Sequence, residues 1–382
     1  MTFIAALADH ICQSTLFAAA VGLLALALRK SPARTRHRLW TAASVKFLVP
    51  FSLLIGMGSQ IAFPWNAASP ESRWYIFLNA IGRPFSRGGA PASISPLSEA
   101  ISVRGIAVLG AIWACGCAAA LAAWWRRSHR IAATIRNAEP FTAGREPDVL
   151  RRLERIGRIR RPIAMRSSPA FPEPGVFGIF RPVLVWPEGI SERLDDAHLE
   201  AIVAHEVCHV WRRDNLAFAT HLAVEAIFWF HPLVWWLGAR LVVERERACD
   251  EQVLGSGNEP RTEPRITPRI TPRIYAESIL IACEFGAGAA LSCGSGATGA
   301  DLEERIVHIM RASSARRVDS RTKLVLAFAG FAAFSAPILL GSLSPCMRAA
   351  SRHSMSKTAA QTIRPDVTAM RARPGREKEK ER

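Results

Sequence analysis

The sequence lacks every motif that would explain its positive charge by nucleic-acid binding. It carries 49 Lys and Arg against 32 Asp and Glu, which gives a formal net charge of +17. Yet it has no zinc ribbon, no basic helix with recognition spacing and no aromatic platform for RNA. The basic residues instead flank long apolar runs or are spread over the segment between them. This distribution favours contact with a bilayer containing anionic lipid, and direct contact with nucleic acid is not expected.

The first apolar run also lacks the basic residues that precede the core of a secretory signal peptide. Residues 4–28 are long enough to cross a bilayer, and Arg29 and Lys30 follow this run instead of preceding it. Three later runs are also long and apolar enough to cross a bilayer. The sequence therefore predicts a mainly α membrane protein with four transmembrane helices, at about residues 4–28, 39–63, 105–125 and 323–344.

Basic residues beside these runs predict the orientation of the chain in a cytoplasmic membrane. Loops rich in Lys and Arg remain cytoplasmic. They follow the first and third spans, at Arg29, Lys30, Arg34, Arg36 and Arg38 and at Arg126, Arg127 and Arg130. We therefore expect the N-terminus and residues 64–104 outside, and residues 126–322 as a cytoplasmic domain. The basic tail at residues 345–382 is expected outside and disordered.

The segment His205-Glu206-Val207-Cys208-His209 lies in a run with helical apolar spacing. On a helix, the two histidines are one turn apart and share a face. Two neutral imidazoles in this arrangement suit a catalytic zinc ion, and the adjacent Glu206 suits a general base. The competing interpretation is a buried helix whose histidines are satisfied core polar groups.

A third zinc ligand is expected, since catalytic zinc sites use three protein ligands and one open position. Glu246 is the best candidate. Asp250 lies four residues later on the same helix face, where it is placed to hydrogen-bond a ligating histidine. A solvated face paired with Arg245 and Arg247 is the alternative for these acids.

Residues 215–243 are rich in Phe and Trp and almost free of charge. Pro232 is expected to divide them into two helices, because proline is tolerated at a helix start and not inside one. The resulting helical hairpin would return the second helix to the first and bring Glu246 towards His205 and His209.

Residues 177–179 and 181–186 have the branched and aromatic composition of two short strands around Gly178 and Pro182. They predict either a purely structural hairpin or an edge strand that pairs with an extended peptide. Cys208 and Cys249, which lie beside the predicted ligands, are interpreted as packing residues. A role in tuning or oxidatively switching the site stays open.

These features together resemble the BlaR/MecR-type antirepressor metallopeptidases, which are integral membrane zinc proteases of the gluzincin kind. The resemblance rests on separated blocks at residues 176–189, 204–215, 230–236, 244–250 and 302–306. It implies an α+β peptidase domain between the third and fourth spans, with zinc on His205, His209 and Glu246 and with Glu206 as general base.

The resemblance also implies cleavage of a cytoplasmic or membrane-proximal protein, such as a transcriptional repressor, or self-cleavage. The best-known members carry an external penicillin-binding sensor domain after the last span, whereas only residues 345–382 follow it here. A separate sensor protein or a homodimer is therefore an open possibility. Two rival functions are a membrane-protein quality-control protease and a non-proteolytic signal transducer with a structural zinc.

Overall fold

The computed structural model describes residues 3–50, 57, 96–255, 270–287 and 299–311, and the single positions 324, 328, 331 and 335. The described chain is mainly helical, and the contacts reported below lie within one compact unit formed by residues 1–48 and 93–323. In chain order its elements are α1 (Phe3–Ala27), α2 (Ala33–Leu48), α3 (Pro96–Asn137), β1 (Glu139–Pro140), α4 (Arg145–Ile156), β2 (Ala164–Ser168), β3 (Gly175–Phe177), β4 (Val183–Pro187), a 3₁₀ turn (Ile190–Arg193), α5 (Asp196–Arg212), α6 (Asp214–Ile227), α7 (Pro232–Val253), α8 (Pro272–Ala287) and α9 (Gly299–Met310).

Two of the described helices are long and apolar enough to cross a membrane. They are His10–Ala27 within α1, which lies inside the first predicted span, and Gly105–Asn137 within α3, which contains the third and continues beyond its predicted end at residue 125. No side chain from Gly105 to Asn137 is buried, which leaves this helix free to face lipid. These two helices support association with a membrane.

The second and fourth predicted spans stay predictions. The described part of the second is α2, which begins at Ala33 and ends at Leu48. Most of residues 51–63 and of residues 323–344 lie outside the described residues. Lys46 of α2 is buried, and its ammonium donates to Ser14 Oγ at 3.3 Å.

The predicted strand pair is confirmed, with shifted boundaries. β3 and β4 are antiparallel, with Val176 opposite Leu184. The turn between them requires glycine at position 178, where φ is +90° and an added Cβ would lie 2.5 Å from the carbonyl oxygen of Arg181. β4 also pairs in parallel with β2, so the sheet order is β1-β2-β4-β3 and β3 is an edge strand.

The predicted division of residues 215–243 is also confirmed, because Pro232 is the first residue of α7 and follows the end of α6. Two apolar cores flank the resulting helices. One joins α4, the sheet and α8 to α5, with Leu150, Trp186 and Val203 at its centre. The other packs α6 and α7 against α1 and α2 through Trp40, Phe47 and Leu237.

The turn between α1 and α2 is fixed to α7 by polar contacts. The backbone N–H of Ala33 donates to Glu251 Oε2 at 2.8 Å. Arg36 Nε donates to both carboxylate oxygens of Glu244, at 3.0 and 2.9 Å, and both side chains are buried. We call these two contacts the α2–α7 clamp. It satisfies charges that would otherwise be costly to bury.

Candidate metal centre

The first half of the site is built on α5, whose ends are set by local sequence. Asp195 caps the N-terminus by accepting from the backbone N–H of His198 at 2.8 Å. Arg213 ends the helix in the left-handed conformation, with φ of 58°. Between these ends, His205 and His209 lie one turn apart, and their Nε2 atoms are 3.1 Å from each other.

Glu246 of α7 completes the predicted ligand set. Its Oε2 lies 3.2 Å from His205 Nε2, and its Oε1 lies 3.9 Å from His209 Nε2. Ligand atoms of a tetrahedral zinc site, with bonds of about 2.0–2.1 Å, are about 3.3–3.4 Å apart. The observed spacings bracket this value, so the two nitrogens and the carboxylate fit a zinc ion.

The carboxylate of Glu246 is held ionised. Burial alone would raise its pKa, but Arg245 and His209 bring it well below the usual value. Arg245 Nη2 lies 2.8 Å from Glu246 Oε1. The alternative of an ion-paired face is therefore partly correct, although the side chains of Arg245 and Glu246 are only 23% and 19% exposed. Glu244 points elsewhere, into the clamp with Arg36.

The side chain that orients His205 is Tyr275 of α8, which the sequence did not single out. Its hydroxyl lies 2.7 Å from His205 Nδ1 and donates to Asp250 Oδ1 at 2.7 Å. Burial, followed by the charge of Asp250, raises the pKa of this tyrosine well above its usual value, so it keeps its proton. Since that single proton is given to Asp250, the hydroxyl accepts from His205 Nδ1–H. His205 Nε2 is left with a lone pair for a metal.

Asp250 was expected to hydrogen-bond a ligating histidine itself. Instead, its Oδ1 is 3.6 Å from His205 Nδ1, and the hydroxyl of Tyr275 bridges the two groups. Asp250 is held in this place by Arg305 of α9, whose Nε and Nη2 donate to its two oxygens at 3.0 and 2.7 Å. Asp250 thus orients His205 through Tyr275.

His209 is oriented by Asp214, the first residue of α6. Asp214 Oδ2 lies 2.9 Å from His209 Nδ1, which leaves His209 Nε2 facing Glu246 and His205. Burial would raise the pKa of Asp214, but the hydrogen bond with His209 and the guanidinium of Arg212 keep it below its usual value. An ionised Asp214 fixes the Nδ1–H tautomer of His209, which is the tautomer a zinc ligand needs.

Glu206 lies next to His205 and is buried. Burial raises the pKa of its carboxyl group, and the neighbouring His209 and His205 oppose this shift. Within the part of the chain that the structure describes, no hydrogen-bond partner occupies this carboxylate. It is therefore free to accept a proton from a water molecule.

The edge strand β3 is positioned by Asn215, just after the end of the predicted zinc helix. The Asn215 side-chain amide donates to the backbone oxygens of Val176 and Gly178, at 3.1 and 2.9 Å. These two bonds tie the strand to the start of α6. Glu173, two residues before β3, lies close enough to Glu206 for that charge, together with burial, to raise its pKa.

Cys208 and Cys249 are both fully buried. Cys249 Sγ lies 3.3 Å from His209 Nδ1 and donates to Asp214 Oδ2 at 3.5 Å. Burial and the neighbouring Cys208 raise the pKa of Cys249 well above its usual value, so it is a thiol at neutral pH. These observations favour the interpretation of the two cysteines as packing residues.

Comparison with known proteins supports a metallopeptidase. A family model described as BlaR1 peptidase M56 matches residues 6–309. The regulatory protein BlaR1 of Bacillus licheniformis is 32% identical over 97 residues, which are 25% of this chain and 16% of that protein. Methicillin resistance mecR1 proteins of Staphylococcus aureus and Staphylococcus epidermidis are 29% identical over 92 residues, 24% of this chain and 16% of each relative. The matched segment thus spans only about a sixth of the length of these relatives.

Proposed function

Because the chain belongs to the BlaR1 peptidase M56 family, we propose that it is a membrane-embedded zinc endopeptidase that acts in signal transduction. The family implies a bound metal, which in metallopeptidases is usually zinc. The proposal depends above all on one observation. His205 and His209 from α5 and Glu246 from α7 converge at the spacing of zinc ligands, with Glu206 beside them.

The residues divide the chemistry of peptide hydrolysis among them. A bound zinc would polarise the scissile carbonyl and lower the pKa of a water molecule. Glu206 accepts the proton that this water loses and later delivers it to the leaving amine. Tyr275 and Asp214 fix the tautomers of the two histidines, so that both Nε2 lone pairs face the metal position. The edge strand β3, held by Asn215, is the element beside which an extended substrate would lie.

We place the site on the cytoplasmic side of the inner membrane. The loop of residues 29–38 and the C-terminal part of α3, with Arg126, Arg127 and Arg130, carry the basic residues that favour this side. The four-span layout, with the peptidase domain at residues 126–322, belongs to the same proposal. Its substrate would be a cytoplasmic or membrane-proximal protein, such as a transcriptional repressor, or this chain itself.

The proposal is tested with the detergent-purified full chain and its Glu206→Gln variant. Metal content and cleavage of casein and of the chain itself are measured for both. We expect about one zinc per chain in both proteins and cleavage only by the unchanged one. Glu200→Gln is a matched control, because Glu200 lies on the same helix and pairs with Arg152 at 2.8 Å, away from the ligand atoms. This control should cleave normally.

Absence of zinc would refute the central assignment. Zinc in both proteins with cleavage in neither would favour the non-proteolytic transducer. If cleavage is found, the Glu206→Gln variant expressed in cells separates the remaining alternatives. Accumulation of one cytoplasmic protein indicates a dedicated substrate, whereas accumulation of many membrane proteins indicates quality control.

A further inference from the structure

Arg305 of α9 is held beside the predicted zinc ligands by a two-point contact. Its Nε and Nη2 donate to the two oxygens of Asp250, at 3.0 and 2.7 Å. This fork fixes the plane of the guanidinium, and the carboxylate of Asp250 balances its charge. The side chain of Arg305 is only 23% exposed, so the group is largely removed from solvent.

The remaining N–H groups of Arg305 point towards the ligand cluster. Nη2 lies 3.4 Å from His205 Nε2, and Nη1 lies 3.4 Å from Glu246 Oε2. Since Nδ1 of His205 carries the proton that bonds Tyr275, Nε2 holds the lone pair that faces Arg305. A metal on His205 would take this lone pair. The Nη2 N–H that faces His205 would then be free to donate to another acceptor beside the metal.

We propose that Arg305 is a catalytic residue that hydrogen-bonds the oxygen of the scissile carbonyl as negative charge develops on it. This inference rests on the proposed peptidase function and adds a role that Glu206 does not fill. When water attacks the carbonyl carbon, the π-electron pair of the carbonyl moves to its oxygen, and the water proton moves to Glu206. Arg305 donates a hydrogen bond to that oxygen and keeps its own proton. The pair then returns, the C–N bond breaks, and the proton on Glu206 goes to the amine.

His231, which lies just before α7, is not placed to fill this role. Its Nε2 lies 3.1 Å from Thr15 Oγ1, and its ring packs against Phe47 at 5.6 Å between centroids. These contacts belong to the core formed with α1 and α2. His231 therefore has a structural role in the described chain, and Arg305 is the donor that faces the ligands.

A purely structural role for Arg305, in tying α9 to α7, makes a different prediction. The neighbouring residue Glu304 already joins these helices, because its Oε1 lies 2.6 Å from Arg247 Nη2. Arg247→Gln removes this tie without touching the site, which makes it the matched control. A structural role predicts that Arg305 and Arg247 variants behave alike. A catalytic role predicts a selective loss in Arg305 variants of affinity for a group that resembles the transition state.

The experiment uses the zinc-loaded full chain in the Glu206→Gln background, which is expected to bind peptide without cleaving it. Two probes of the same alanine-rich sequence are compared, a phosphinic peptide with a tetrahedral anionic centre and the ordinary amide peptide. Arg305→Gln should weaken binding of the phosphinic probe by about 100-fold, as expected for loss of one oxyanion donor. Binding of the amide peptide should change by less than about threefold, on the same reasoning. Zinc binding should weaken by less than about tenfold, because Arg305 acts on His205 only through Asp250 and Tyr275.

Arg305→Lys keeps the charge and serves if the Gln variant fails to fold. We expect about a tenfold weakening of phosphinic binding, since one ammonium cannot reproduce the fork. Equal losses for both probes, or no loss for the phosphinic probe in a zinc-loaded variant, would overturn the inference and leave the peptidase proposal intact. A chain without zinc that binds neither probe would refute both, and the metal assay distinguishes that failure.

Discussion

Replacing Tyr275 by Phe removes one oxygen atom from the centre of the site and little else. The ring is 1% exposed and keeps its packing in the phenylalanine variant, so no cavity forms. The lost hydroxyl makes two contacts of 2.7 Å, with His205 Nδ1 and Asp250 Oδ1. Asp250 remains satisfied because Arg305 still donates to both of its oxygens. The main consequence of the substitution is therefore that His205 Nδ1 loses its hydrogen-bond partner.

The size of the effect follows from what can replace the hydroxyl. Mutation of a group that orients a metal ligand typically weakens metal binding about 10- to 100-fold. Asp250 Oδ1 is only 3.6 Å from His205 Nδ1 and needs a small shift to accept its proton directly. We therefore expect the low end of this range, about a tenfold loss of zinc affinity, or about 1.4 kcal/mol. The free energy of unfolding of the metal-free protein should fall by about 1–2 kcal/mol.

Zinc affinity is measured by competition with a fluorescent chelator at neutral pH in detergent. The chain has two tyrosines, and Tyr75 lies in the segment expected outside the membrane, so Tyr75→Phe is the control. It should bind zinc like the unchanged protein. A zinc affinity of Tyr275→Phe within twofold of the unchanged protein would show that the hydroxyl does not orient His205. An equal loss in Tyr75→Phe would show that the measurement does not report on the site.

Three further predictions follow from other contacts. Arg36→Met should lower the free energy of unfolding by about 3 kcal/mol, because the buried Glu244 loses its hydrogen-bonded partner and keeps only the 3.9 Å contact with Arg247. Denaturation should show recovery in the double variant with Glu244→Gln, and absence of recovery would contradict the reasoning. Asn215→Ala should raise KM for a peptide about tenfold with little change in kcat, since β3 loses two hydrogen bonds; steady-state kinetics showing an effect on kcat alone would be inconsistent with this role. Removal of zinc by a chelator should lower the Tm of the unchanged protein and leave the Tm of the His205→Ala variant unchanged. Thermal scans that show equal shifts in both proteins would argue against His205 as a ligand.

Site residues that lie on the same helix could be predicted from the sequence, because helical geometry fixes their relative positions. The spacing of His205 and His209 needs only the 3.6-residue turn, and Pro232 marks the return of the chain that brings Glu246 near. Tyr275 and Arg305 were not singled out as site residues. Tyr275 lies on α8 and Arg305 on α9. The spacing of apolar residues in the sequence does not indicate that these helices pack beside α5 and α7. Their placement is a result of tertiary packing.

Two secondary-structure elements also depend on tertiary contacts that the local sequence does not reveal. β2 was not predicted, since the sequence Ala-Met-Arg-Ser-Ser lacks the branched and aromatic residues typical of strands, and pairing with β4 overrides this weak preference. α2 was predicted from its apolar part at residue 39 onwards, whereas the helix begins at Ala33. Its charged first turn is stabilised by Glu244 and Glu251, which lie more than 200 positions away. Such long-range partners cannot be inferred from local composition.

The α2–α7 clamp links the position of α1 and α2 to the geometry of the candidate metal centre. Its two acidic anchors, Glu244 and Glu251, lie on either side of Glu246 on one continuous helix, while His205 and His209 belong to α5. If the α1–α2 turn is displaced and α7 moves with it as a rigid body, the distance from Glu246 to His205 and His209 therefore changes. The distances from a bound zinc ion to its ligands are expected within about 0.2 Å of their standard values. In the proposed zinc site, the affinity for the metal would therefore depend on the position of the first two helices.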